Sequence, residues 1–323
     1  MKNMINRAHV EGVIYEHNLE LKVSGPNSKN PNTEFITGTL SVATDNAQLN
    51  VIPVHFTYVT ARTSKGAANA TFDTLAKIID GTIGTIMKDG KEKAGKVKID
   101  TAIGLNEFYT DRNGTETLVS AKRYEGGFVH VVDVIEEDEK DRNWFECDML
   151  ITGVTRTEGD EEKQIPEKVT IKGAIFDFRK ALLPVEFSAL NANAMDYFEG
   201  LGASSREPVF TKLKGRQLSE TVVKTIIEES AFGDASVREV KNTRRDYVIT
   251  WAAQEPYTWD DESTMTVNEL NAAITTRETY LATVKQRQDE YKASCTTCTL
   301  SGSSWTPSPT ATMFWATSTI CSI

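Results

Sequence analysis

The first sixty residues alternate apolar and polar side chains with a period of two, over Val10–Val23, Glu34–Ala43 and Asn50–Thr60. That period places successive side chains on opposite faces of a strand. Turn clusters such as Ser24-Gly25-Pro26-Asn27 separate the runs. The spacing then becomes helical, with Phe72, Leu75, Ile78 and Ile79 on one face and Asp73 near the start. A lysine-rich loop, MKDGKEKAGK, leads into two further β-type runs between Lys96 and Val132. They meet at Thr110-Asp111-Arg112-Asn113-Gly114, where Asn and Gly supply the left-handed backbone of a hairpin turn.

Strand, strand, strand, helix, strand, strand is the element order of an OB-fold, a five-stranded Greek-key barrel. Gly12 suits the bend of its first strand. The order recurs in Trp144–Thr155, Lys168–Phe178, Leu182–Ala189, a helical run Ala192–Leu201 and Val209–Leu218. Val222–Ile227 and Asp246–Ala253 then read as strands around the turn Phe232-Gly233-Asp234. From Thr266 to Lys292 the period is 3.6, with Leu270, Ile274, Tyr280, Leu281 and Val284 as the stripe. Thr266 and Glu269 form a capping box, and the helix is expected to pack on the second barrel or, as the alternative, on a partner chain.

The fold class expected is therefore mainly β with a few helices: two OB-fold-like Greek-key barrels in tandem plus a C-terminal helix. The corresponding units are 1–133, an acidic linker 134–143, a second barrel 144–262, the helix 263–293 and a tail 294–323. That tail is uncharged and rich in Ser and Thr yet holds Trp305, Phe314 and Trp315. It is expected to be disordered, and a shifted reading frame near residue 295 would produce such an ending.

Composition narrows the function. Of 323 residues, 39% are hydrophobic and 25% charged, as in ordinary globular chains. The net charge of -10 argues against a uniformly cationic binder of phosphates. Yet the acids crowd into EEDEKD at Glu136–Asp141 and EGDEE at Glu158–Glu162, which leaves basic faces elsewhere. Four cysteines do not make a disulfide framework, no leader is evident, and no apolar run approaches the ~18 residues of a membrane span. A cytoplasmic protein without a membrane partner is expected.

Catalytic signatures are missing from the sequence: no P-loop, no G-x-S-x-G and no H-E-x-x-H. His9, His17, His55 and His130 are scattered among strands, and Cys295 and Cys298 lack the second pair of a zinc site. No enzyme, cofactor or metal is expected. What the chain does carry is aromatics beside cations, the pairing by which single strands are stacked and their phosphates held. In the first unit these are Tyr58, Phe108, Tyr109 and Tyr124 with Lys96, Lys98, Lys122 and Arg123. In the second, Phe178, Arg179 and Lys180 sit at a strand end, and Lys212, Lys214 and Arg216 fall at i, i+2 spacing on one strand face. Arg245 and Trp251 repeat the mixture. The competing account is that many of these aromatics fill the barrels.

Several segments resemble phage-encoded single-stranded DNA-binding proteins with tandem OB domains. They are INRAHVEGVIYEHNLELKV, VKIDTAIGLNEFY and SAKRYEGGF in the first half, then VTIKGAIFDFRKALLPVEFSALNANAMDYFEGL and PVFTKLKGRQ in the second. The likeness spans roughly residues 5–292. It implies non-sequence-specific binding of single-stranded DNA in phage replication or recombination, with replication or recombination proteins as further partners. Such proteins recruit partners through an acidic C-terminus, from which this uncharged tail departs. A homo-oligomer is compatible with this reading. The alternative is a non-enzymatic structural or assembly protein, such as a virion component, whose β-domains bind protein.

Overall fold

Strand pairing closes two rings of the same topology. The structure, a computed structural model, describes residues 4–26, 28–112, 114–160, 166–228, 236–258 and 265–300. In chain order the first half comprises β1 (Asn6–His17), β2 (Glu20–Val23), β3 (Glu34–Ala43), β4 (Val51–Thr60), α1 (Ala70–Ile79), α2 (Ile86–Asp89), β5 (Lys96–Arg112) and β6 (Thr115–Val131). The second half comprises β7 (Asn143–Thr157), β8 (Lys168–Phe176), β9 (Leu182–Ala189), α3 (Ala192–Gly200), β10 (Val209–Glu228) and β11 (Ser236–Ala252), followed by α4 (Val267–Leu300).

In the first ring β1 pairs with β3, β3 with β4, β4 with β6, β6 with β5 and β5 with β1. Only β4 and β6 run parallel, and α1 connects the third ring strand to the fourth. The second ring repeats this as β7, β8, β9, β11, β10 and back to β7, with β9 and β11 parallel and α3 in the same connection. That is the five-stranded Greek-key barrel which the element order predicts.

Closure needs the first strand of each ring to serve two neighbours. The β1–β3 register shifts between Ile14 and Glu16, and the β7–β8 register between Ile151 and Gly153, so each first strand bends from one neighbour to the other. Close approach demands glycine at Gly12, where a Cβ would sit 2.0 Å from the Ala43 carbonyl oxygen. Gly173 meets the Leu150 carbonyl oxygen at the same distance. The third ring strands bury Phe56 and Phe187 completely, each worth roughly 1.5–3 kcal/mol of transfer free energy.

The rings are not joined by a free linker. β1 pairs with β7 as well, Asn6 opposite Cys147 through Val10 opposite Asn143, so all eleven strands form one continuous sheet. One apolar cluster runs through both barrels. The acidic segment ahead of β7 folds back on the first barrel. The Glu11 N–H donates to the Arg142 carbonyl oxygen at 2.7 Å, and the buried Arg142 guanidinium donates to the carbonyl oxygens of Glu136 and Glu137.

Other boundaries also differ from the sequence expectation. Val10–Val23 is two strands, because the chain turns at Asn18 and Leu19, where the Leu19 N–H donates to His17 Nδ1 and the Leu19 side chain is buried. The lysine-rich loop contains α2, capped by Thr85. β10 and β11 are continuous strands, and the turn expected at Phe232-Gly233-Asp234 lies outside the described residues.

α4 begins with the expected capping box: the Glu269 N–H donates to Thr266 Oγ1 and the Thr266 N–H to Glu269 Oε2. It continues through Ser294–Leu300, seven residues into the stretch read as tail. Residues 301–323 lie outside the described part. The helix packs on both halves. Met265, Leu270 and Ala273 join Leu150, Phe176 and Phe210 of the second barrel. Arg277 pairs with both carboxylate oxygens of Glu107 on β5, and Gln288 accepts from the Tyr109 N–H while donating to its carbonyl oxygen.

Candidate nucleic-acid interface

Where β1, β7, β10 and β11 cross the junction, their registers line up one row of side chains. Arg7 lies opposite Glu146, Glu146 opposite Lys214, and Lys214 opposite Trp251. Because side chains alternate along a strand, His9, Trp144, Lys212 and Arg216 share that face. Inward neighbours Phe145, Leu213 and Gly215 are buried. The face floors a cleft of about 600 Å³ bounded by Arg7, Trp144, Lys214, Arg216 and Trp251.

Geometry in the cleft favours flat rings and anions. Trp144 is half-buried, stacked on His9 with ring centres 5.4 Å apart, and has the Arg7 guanidinium 5.6 Å from its own centre. Trp251 is 47% exposed, with Lys214 Nζ 5.1 Å from its ring. Four cations, Arg7, Lys140, Lys214 and Arg216, face two carboxylates, Asp141 and Glu146. Glu146 is engaged by Arg7 at 2.8 Å and by Lys212 at 3.8 Å. Among the described residues no carboxylate pairs with Lys214 or Arg216, so their charge is offered to the cleft. Trp251 and Arg216 also border a groove of about 780 Å³ against α3, lined by Tyr197 and Phe198.

The neighbouring cleft has the opposite character. Across β1 and β5, Arg7 and Lys98 face Glu11, Asp100, Glu136 and Asp141. Lys98, expected to hold a phosphate, is thus set among carboxylates that would repel one. His9 bridges Asp100 and Glu11, its ring nitrogens 3.0 and 3.2 Å from their carboxylates.

The remaining predicted residues divide by what they touch. Tyr124 is fully buried and its ring meets Tyr247 edge-on, so it is a core residue and not a stacking surface. Burial pushes its hydroxyl well above the usual tyrosine range. Lys122 latches the barrels together instead of facing solvent. Its Nζ lies 5.5 Å from the Phe187 ring, 5.2 Å from Tyr247, and donates to the Glu186 carbonyl oxygen. Burial lowers its pKa, against the pull of Asp246 and Glu186. Arg123 pairs with Glu125 at 3.0 Å. Tyr109 is held by Gln288 and has Lys285 over its ring at 5.8 Å, so α4 occupies the place expected for a base. Phe108 is half-buried on β5, and Lys96 donates to the Asp133 carbonyl oxygen at the hairpin's base.

Tyr58 projects from β4 against Phe35, ring centres 4.5 Å apart. Phe178, Arg179 and Lys180 form the exposed turn between β8 and β9, and Arg245 is exposed on β11. From the predicted set the cleft therefore gathers Lys214, Arg216 and Trp251, with Lys212 beside them. Arg7 and Trp144 were missed. They belong to strands far apart in sequence, and only the β1–β7 register brings them to Lys214.

The chain matches the model of the family YorF over residues 5–287. No curated protein matches it. A solved structure that is similar, a deletion mutant of the single-stranded DNA binding protein from Thermus aquaticus, has 8% identity and a TM-score of 0.44. The match covers 81% of this chain and 100% of that one.

Proposed function

We propose that this chain, which belongs to the YorF family, binds single-stranded DNA without sequence specificity, through the cleft at the junction of its two barrels. The observation that carries the reading is the cleft itself. Two tryptophans on different strands flank the cations Arg7, Lys214 and Arg216, which supplies base platforms and phosphate contacts at one place. A net charge of -10 is compatible with this because the opposing carboxylates collect in the adjoining cleft and in the segment ahead of β7. The proposed role is binding and not catalysis. Its setting in phage replication or recombination, with proteins of those pathways as partners in the cytoplasm, rests on the sequence resemblance.

Titration with an oligothymidine, followed by quenching of tryptophan fluorescence, tests the reading. The affinity is expected to fall with rising salt, with a slope of about -0.7 for each phosphate neutralised. Absence of binding at low salt would overturn it and leave the assembly reading, in which the barrels bind protein.

A further inference from the structure

The turn between β8 and β9 carries an apolar side chain where turns ordinarily carry polar ones. Phe178 is 87% exposed, the most exposed large hydrophobic among the described residues. The turn beneath it is tightly determined. Asp177 Oδ1 accepts from the N–H groups of Arg179 at 2.8 Å and Ala181 at 2.7 Å. The Lys180 N–H donates to the Asp177 carbonyl oxygen at 2.9 Å, and the Asp177 N–H to that of Ala181 at 3.0 Å. Lys180 holds a φ of 65°, a conformation that a residue with a Cβ adopts only when its surroundings impose it. A rigid mount thus holds a benzyl ring in water, where it contributes nothing to the core.

The flanking chemistry narrows what meets the ring. Arg179 and Lys180 adjoin it, the guanidinium carbon of Arg179 5.0 Å from the ring centre, so an anionic partner is favoured. Among the described residues no second wall stands opposite Phe178 to enclose a loose base. A platform with one face suits a terminal base pair, which is already stacked on its other side and is bordered by phosphates. The position is appropriate too. Phe176 and Leu182 pair at the root of the turn, and Phe176 lies in the apolar cluster that both Leu182 and Met4 pack against. Met4 is three residues, about 10 Å of extended chain, from Arg7 in the cleft.

We propose that Phe178 is a wedge that stacks on the last base pair of a duplex where the single strand held in the cleft begins, and loosens that pair. This rests on the single-strand reading. It adds an action on duplex ends, by insertion of an apolar side chain against a base step.

A duplex with a thymidine overhang and 2-aminopurine in its terminal pair tests the wedge, since that base fluoresces more strongly when unstacked. The full chain is expected to raise the fluorescence on binding. Phe178→Ala is expected to lose the rise while keeping its affinity for unpaired oligothymidine, and Phe178→Trp to restore it. Binding without a rise, or a rise that Phe178→Ala retains, overturns the wedge alone. Failure of the full chain to bind the overhang overturns the single-strand reading and the wedge with it.

Discussion

The β5–β6 hairpin and the junction cleft hold the same kinds of residue and use them differently. In the hairpin, Tyr124 is core, Lys122 reaches across to Phe187 and Tyr247, Arg123 pairs with Glu125, and Tyr109 is held by α4. In the cleft, Trp251 and Lys214 stay exposed beside each other and Arg216 has no carboxylate partner among the described residues. Aromatics interleaved with cations are therefore a signal of composition, and the neighbour across the sheet decides whether they serve the protein or a ligand. The hairpin stands close to the other barrel and to α4, which cover its inner face. Among the described residues nothing covers Lys214 and Trp251 in this way.

The comparison breaks first, and with the largest effect, on stability. Tyr124→Ala should cost about 3–5 kcal/mol in urea unfolding, the range for deleting a buried aromatic. Tyr124→Phe keeps the ring in the core and should cost far less than Tyr124→Ala. A surface stacking residue would not show the loss expected of Tyr124→Ala.

Next in size is binding. Trp251→Ala or Trp144→Ala should weaken oligothymidine affinity by about 1–3 kcal/mol, roughly five- to 150-fold, with little change in unfolding. Equal affinity in both variants would remove the cleft from consideration.

A smaller effect separates the two kinds of lysine. Lys214→Gln should reduce the salt slope of binding by about 0.7. Lys122→Met, which keeps the aliphatic packing between Phe187 and Tyr247, should leave that slope unchanged. If the two results are reversed, the hairpin and not the cleft holds the strand.

The smallest effect is one of pH. Burial and, second, the Arg123 charge lower the pKa of His55 below its ordinary 6.5, while Glu125 opposes them. As pH falls through about 6.5 the unfolded chain takes up a proton before the folded one does, so stability is lost on the acid side. His55→Gln should flatten that part of the stability profile, and Arg123→Gln should flatten it less.

Much of the fold is legible because local periodicity reflects local packing. The alternation of β1, β3 and β4, the helical spacing of α1 and the capping box of α4 each depend on residues within one element. So does the common face of Lys212, Lys214 and Arg216, which needs only the two-residue period of a strand. The β1–β7 pairing is not legible in this way. It joins strands more than a hundred residues apart, and neither Asn6 nor Cys147 announces a partner. Arg7 and Trp144 stay invisible as site residues for the same reason. The acidic composition of Glu136–Asp141 suggests a solvated linker, whereas the buried guanidinium of Arg142 ties that segment down through main-chain oxygens.

By itself, the sequence determined the order of the ring strands and of the helix in each half, and its repetition, and hence two Greek-key barrels, though not the break between β1 and β2 or the short α2, because strand and helix periods are properties of short windows. Tertiary structure alone decided that the barrels share one sheet, that α4 braces the first hairpin, and that Trp144, Lys214 and Trp251 stand side by side. Register between distant strands comes from the packing of whole faces, and no single residue encodes it.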